Sequence, residues 1–186
     1  MRALERVVAA LLLVVLSPPL ILIAVAVKIS SPGPILFIRP RLGRNEIPFL
    51  MYKFRTMYEG SDNNGDSTLL DDPRVTPLGR ILRPIHMDEW PQLWNVLKGE
   101  MELVGPRPQV PSYYADFRNS ECYRQCMSVR PGITGLTQIR GQRWVLNAGR
   151  HAQLRVEAYY ATRKCFCIDL RIIWMTTRVI LAGKSI

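Results

Sequence analysis

With 186 residues the chain has room for one domain and an appendage, and a hydrophobic content of 48% allows a buried core. Lys and Arg outnumber Asp and Glu by 25 to 15, and the net charge of +10 points to an anionic partner: nucleic acid, an anionic membrane surface or phosphorylated substrates. The pairs Cys122/Cys126 and Cys165/Cys167 lack the spacing of a zinc ribbon and read as reduced thiols, and His86 and His151 complete no ligand pattern.

Val7 to Val27 reads VVAALLLVVLSPPLILIAVAV, uncharged and long enough as a helix to cross a bilayer. It carries no signal-peptide cleavage site and is expected to be retained. Ser17-Pro18-Pro19 at its middle predicts a sharp break, where a Ser hydroxyl can serve a freed carbonyl. Both flanks are basic, Arg2 and Arg6 before it, Lys28, Arg39, Arg41 and Arg44 after it. Such flanks favour the cytoplasmic side. Two arrangements fit these residues: a helix that enters, bends and leaves by one face, or a spanning helix with a proline kink.

Two strand-like runs follow, Ile35 to Leu42 and Pro48 to Phe54, joined by a Gly43-Arg44-Asn45-Glu46 hairpin loop. Alternation would put Lys53 and Arg55 on one face, as a two-point clamp for phosphate oxygens or as a solvated basic edge. Tyr58 to Asp72 is polar and reads as a loop. Arg80 and Arg83 share a face if their segment is helical.

Pro84 to Pro108 reads PIHMDEWPQLWNVLKGEMELVGPRP, and its centre is the carboxylate pair Asp88-Glu89. Pro91 pre-sets a first helical turn, Leu93, Trp94, Val96 and Leu97 recur at helical spacing, and Gly99 is the stop. The pair therefore falls where a helix begins, either as ordinary first-turn acids or as ligands for a phosphate or hydrated metal. Val110 to Val129 reads as an irregular helix, and Arg130 to Gly135 as a loop whose glycines allow close backbone approach. Arg150 to Lys164 reads as a helix. Ile168 to Leu181 suits either an interfacial amphipathic helix or a buried core helix.

Taken together, the Ser17-Pro18 break, GPILF, KFRTM, DEWPQLWNVLKGEMELVGPRP and RPGITGLTQIRG resemble the bacterial sugar transferase family, the monotopic phosphoglycosyl transferases. The match extends through Glu157, Tyr160 and Asp169 and covers nearly the whole chain. The chain departs from the family in several places. Pro84-Ile85-His86-Met87 stands before the acid pair where Lys-Thr-Ser-Leu is usual, Glu5, Glu100 and Glu157 stand for Asp, and Cys165 for Ser. The altered loop is the departure that bears on specificity or rate.

The resemblance implies a mostly α fold with a short β-hairpin: a monotopic membrane protein with a re-entrant, proline-broken helix over 1–30, a cytosolic catalytic domain over 31–186 and interfacial amphipathic helices. It implies a location on the cytosolic face of a bacterial inner membrane. The reaction implied is phosphosugar transfer from a nucleoside diphosphate sugar, usually UDP-linked, to polyprenyl phosphate, releasing UMP. It would run ping-pong through a covalent aspartyl intermediate. Asp88 would be the nucleophile and Glu89 a ligand to Mg²⁺. Arg83, Lys53 and Arg55 would neutralise phosphate oxygens, and Pro106, Arg107 and Pro108 would contact the nucleotide. Membrane lipid is an expected partner, nucleic acid is not, and a homodimer is compatible with the resemblance.

Two other readings compete with this one. A membrane-anchored basic module for nucleic acid or anionic lipid leaves Asp88-Glu89 unexplained and lacks an aromatic platform. A scaffold with inactive catalytic residues rests on the altered loop before Asp88.

Overall fold

The computed structural model describes residues 2–60 and 72–181. Two helices open the chain, α1 (Arg2–Val15) and α2 (Ser17–Ser30), bent by 63° at Leu16. The break falls one residue before Ser17 because Pro18 and Pro19 sit in the first turn of α2, where backbone N–H groups have no helical acceptor to lose. The Ser17 hydroxyl donates to the Val14 carbonyl at 2.7 Å, which serves an acceptor at the bend. Among the described residues no single helix is long and apolar enough to cross a membrane; the bent pair meets the measure of length and composition only when its two helices are taken together. Val7, Leu11, Val14, Val15, Ile21, Leu22, Val25 and Ile29 are exposed on it. Such a patch on a soluble surface would mark an interaction site.

Strands β1 (Leu36–Leu42) and β2 (Pro48–Phe54) form the expected antiparallel hairpin, with Leu36 opposite Phe54 and Leu42 opposite Pro48. The turn between them holds Asn45 and Glu46 at φ 56° and 60°, left-handed backbone that Asn tolerates better than Glu. Most of the polar loop expected at 58–72 lies outside the described residues. Helix α3 (Pro77–Leu82) starts at Thr76, whose hydroxyl accepts from the Gly79 N–H at 3.0 Å. Helix α4 (Gln92–Lys98) ends at Gly99, φ +79°, as the sequence predicts.

The remaining elements depart further from expectation. Val110 to Val129 is not one helix: Pro111 lies near its start, and only α5 (Glu121–Met127) forms, beginning at Ser120, whose hydroxyl accepts from the Tyr123 N–H. The glycine loop at 130–135 contains a strand, β4 (Gly132–Thr134), paired in parallel with β3 (Glu102–Val104). Among the described residues the β content is thus the hairpin, this short pair and an isolated bridge between Met57 and Val75. A Cβ on Gly132 would come within 2.0 Å of the Gly105 nitrogen, so the two backbones approach as only glycine permits. Helix α6 (Gln142–Arg163) is broken at Gly149, φ +72°, and α7 (Phe166–Leu181) is the last described element. Helix α7 buries Ile172 and exposes Phe166, Leu170, Ile173 and Trp174, which share one helical stripe.

Four clusters hold these elements together. Ala9 of α1 meets Phe49 and Met51 of β2 and Leu93 and Val96 of α4. On the other face of β2, Phe54 packs with Val27 of α2 and Leu82 of α3. Val104, Tyr160 and Ile172 join β3 to α6 and α7, and Tyr114, Tyr123, Cys126 and Leu154 join α5 to α6. Polar ties supplement them. Asn95, fully buried on α4, donates to the Leu50 carbonyl at 2.7 Å and accepts from the Tyr52 N–H at 3.2 Å. The Glu5 carboxylate accepts from the Leu103 N–H at 3.0 Å and ties α1 to β3.

Candidate active site

The acid pair does not open α4. It lies one turn earlier, in a 3₁₀ turn at Met87–Glu89 entered through His86, whose φ is +55°. This corrects the expectation of first-turn acids, and α4 has only seven residues, so its dipole is not the main field at the pair. The left-handed residue reverses the chain after α3 and turns both carboxylates inward, where each is 8% exposed.

Lys53 supplies the main compensating charge. It follows Phe49 and Met51 on the same face of β2, and its ammonium meets Glu89 Oε1 at 2.5 Å. The Arg107 guanidinium lies 4.0 Å from the same oxygen. Burial opposes ionisation of Glu89, but Lys53 and then Arg107 outweigh it and hold this carboxyl below its ordinary range. Asp88 has no ion pair among the described residues. Burial, and then the neighbouring Glu89 charge, push its carboxyl above its ordinary range, and Lys53 and Arg83 offset only part of this. Arg83, at the end of α3, is itself partly desolvated, which lowers its pKa, and acts on Asp88, Asp72 and Glu89 through its charge.

Lys53, Glu89, Arg107 and Pro108 line one cleft, together with Arg41, Gln92 and Gln138. No motif in the sequence assigns those last three to the site. Gln92 and Gln138 are 2% and 6% exposed, and a buried amide beside a charge cluster is a signal that only the folded chain displays. Pro106 does not line the cleft itself: its carbonyl accepts at 2.9 Å from the N–H of Gly132, which does, and it contributes to the strand junction. The Arg107 N–H is held at 3.2 Å by Glu157 Oε1, which also contacts the Thr137 hydroxyl. Glu157 is fully buried, and burial lifts its pKa to about 7 despite Thr137 and Arg107.

Arg55 is not part of a clamp with Lys53. Strand β2 ends at Phe54, and the Arg55 guanidinium turns to the end of α2. It donates to the carbonyls of Ser31 and Pro32, both at 2.6 Å, and to the Ser31 hydroxyl at 2.9 Å. Carbonyls past the last helical turn lack helix partners, and a guanidinium brings several donors to satisfy them.

No group of three or more His, Cys, Asp or Glu suited to a metal occurs among the described residues. Two adjacent carboxylates are nevertheless hard oxygen donors of the kind magnesium takes, and that ion draws most of its shell from water and substrate oxygens. The donor set therefore fits magnesium presented together with a phosphate substrate.

Two buried acids of unequal ionisation, with Lys53 and Arg107 beside Glu89 and the Arg83 charge acting on Asp88, are a combination that can take up phosphate esters. The family comparison agrees: the profile of the bacterial sugar transferases matches residues 1–183, and the chain belongs to that family. It is 42% identical over 185 residues to an undecaprenyl-phosphate glucose phosphotransferase of Komagataeibacter xylinus, covering 95% of this chain and 35% of the relative. It is 34% identical to the UDP-N-acetylgalactosamine-undecaprenyl-phosphate N-acetylgalactosaminephosphotransferase of Aeromonas hydrophila, covering 98% of this chain and 44% of the relative. The exopolysaccharide production protein PSS of Rhizobium leguminosarum bv. phaseoli is 40% identical, with 88% of this chain and 86% of the relative covered. The chain thus spans less than half the length of the first two.

Proposed function

We propose that the protein transfers a sugar 1-phosphate from a nucleoside diphosphate sugar, uridine being the favoured nucleoside, to a polyprenyl phosphate such as undecaprenyl phosphate. The products are a polyprenyl diphosphate sugar and UMP. This is the first membrane step in assembling a polysaccharide or glycoconjugate. The names of the relatives support the substrate classes. The observation that carries the reading is the unequal pair: Glu89 tied to Lys53 at 2.5 Å, and Asp88 buried beside it without an ion pair among the described residues. A carboxylate with no cation of its own keeps its lone pairs for attack.

In the first half-reaction an Asp88 oxygen attacks the phosphorus that bears the sugar. A carboxylate–phosphorus bond forms, the bond from that phosphorus to the bridging oxygen breaks, and UMP leaves with the electron pair. In the second, an oxygen of the lipid phosphate attacks the same phosphorus and returns Asp88 as a free carboxylate. Lys53 and Arg83 offset phosphate charge, and Arg107 and Pro108 contact the nucleotide. Magnesium would be held by Glu89 and, when bound, would supply further neutralisation of the diphosphate.

The bent α1–α2 pair dips into the inner membrane from the cytosolic side and returns by the same face, which leaves 31–186 at the surface where a lipid phosphate meets a soluble nucleotide sugar. Its exposed apolar residues, its 63° bend and the basic residues Arg2, Arg6 and Lys28 at its ends support this arrangement. The exposed stripe of α7 suits the interface.

The test is release of UMP from a panel of UDP-sugars by protein in lipid discs with undecaprenyl phosphate and magnesium. Asp88→Asn should abolish release, and intact-mass spectrometry of the parent with nucleotide sugar alone should record one added phosphosugar. Near-parent turnover by Asp88→Asn overturns the nucleophile. UDP as the leaving product overturns the reaction class.

A further inference from the structure

Beside the charged residues of the cleft stands a neutral one whose hydrogen bonding is incomplete. We propose that Gln138 is a specificity-determining residue whose side-chain Nε2 donates a hydrogen bond to an acceptor oxygen on the nucleotide part of the donor sugar. The proposal rests on the transferase reading and adds to it a contact that the charged groups do not supply.

Gln138 opens a 3₁₀ turn (Gln138–Arg140) shortly after β4, and it lines the cleft with Lys53, Glu89 and Arg107 while only 6% exposed. The turn is pinned: a Cβ on Gly135 would come within 2.2 Å of the Gly105 carbonyl and 2.9 Å of Gln138 Oε1. One end of the amide is used, because Oε1 accepts from the Thr137 hydroxyl at 3.0 Å. The other end is not, because Nε2 is buried and has no partner. Buried amide donors are nearly always satisfied, and one left open at the wall of a ligand cleft is a donor kept for the ligand.

A hydrogen-bond chain explains why the amide presents its nitrogen. The Thr137 hydroxyl touches both Gln138 Oε1 and Glu157 Oε1, and it has one hydrogen to give. Glu157 is fully buried against the Thr137 hydroxyl and the Arg107 N–H, and burial lifts its carboxyl to about 7. With Glu157 protonated, its Oε1 can donate to Thr137 Oγ1, which leaves the Thr137 hydrogen for Gln138 Oε1 and the Gln138 Nε2 without a protein acceptor. Glu157 Oε1 also accepts the Arg107 N–H at 3.2 Å, so the chain that orients the amide also holds the backbone of the cleft's arginine. Lys53 and Arg107 attract any phosphate, whereas a fixed amide donor discriminates by position and hydrogen-bond sense.

Steady-state kinetics separate this role from a structural one. Gln138→Leu should raise KM for the UDP-sugar about tenfold or more, the scale of one unmade hydrogen bond in a buried site, and leave KM for polyprenyl phosphate within about twofold. Gln138→Glu is nearly isosteric but replaces a donor with an acceptor, so it should be worse than Leu. A merely structural residue would depress kcat or raise both KM values together, and that result overturns the proposal. Should Gln138→Leu not fold, calorimetric UMP binding decides with Gln138→Glu in the Asp88→Asn background: affinity lower by about tenfold supports the contact, unchanged affinity removes it. A parent that binds UMP but never releases it from a UDP-sugar would sink the transferase reading, and the binding measurement would still judge Gln138.

Discussion

Glu157 offers a perturbation whose sign and size both follow from the fold. In the unfolded chain its carboxyl titrates near the ordinary 4.5, and in the folded protein burial moves it to about 7. Below pH 4.5 both states hold the proton and the contribution to stability is fully present. Between pH 4.5 and 7 the unfolded state releases its proton while the folded state keeps it, so stability falls as pH rises. At about 1.4 kcal/mol per pH unit the loss is about 3 kcal/mol once the pH passes 7. Glu157→Gln removes the titration yet keeps the contacts, because its carbonyl oxygen in the place of Oε1 can accept from both the Arg107 N–H and the Thr137 hydroxyl. The assay is thermal unfolding of parent and variant in the same lipid discs from pH 5 to 8. The gap between the two curves should widen with pH in favour of the variant, by roughly 6–12 °C for a chain of this size. Parallel curves would refute the reasoning, because they would mean that Glu157 is ionised in the folded state throughout.

Other substitutions follow from the remaining contacts. Arg55→Met should cost about 2–4 kcal/mol of stability, because it strips donors from buried carbonyls at the end of α2, and should leave KM for the nucleotide sugar nearly unchanged. Unchanged thermal stability with a large rise in that KM would restore Arg55 to the substrate. Topology can be read from Ala3→Cys in a protein whose native cysteines have been replaced. A membrane-impermeant thiol reagent applied to intact cells should not reach it, and should reach it once Pro18 and Pro19 are both changed to Leu. Labelling of the protein that keeps its prolines would mean that α1 and α2 cross the bilayer.

The features that local chemistry dictates were legible in the sequence. The β1–β2 hairpin follows from two apolar runs around a polar turn, α4 from Leu93, Val96 and the Gly99 stop, and the broken first helix from consecutive prolines. What escaped was non-local. The β3–β4 pair joins residues 30 positions apart through strands of three residues each, too short for any alternation to register. Arg55 lies one residue beyond the strand's end, where the alternation that would put it on the face of Lys53 no longer applies. Glu157 could be matched to a family position, but its place beneath the Arg107 backbone depends on how α6 packs against β3, and no spacing in the chain records that. Gln92 and Gln138 are ordinary polar residues in the sequence and become distinctive only when their amides are buried beside charges.

The acid pair shows why this distinction matters for chemistry. Adjacent residues of similar type read as equivalent in the sequence, with a helix start proposed to favour both charges. The fold makes them unequal by other means. Two carboxylates buried side by side cannot both be ionised cheaply, and the cation nearest one of them decides which is. Lys53 is fixed in register by β2, and Arg107 is held through its backbone by Glu157, so both favour Glu89. Asp88 is left as the more basic and less encumbered carboxylate, with Arg83 acting on it only through space. Basicity without a bound cation is what attack at phosphorus asks of an oxygen. In the proposed transfer, the ammonium that now neutralises Glu89 is also the cation nearest to hand for a phosphate oxygen of the donor. The division of labour between Asp88 and Glu89 therefore comes from the strand and the loop that flank them.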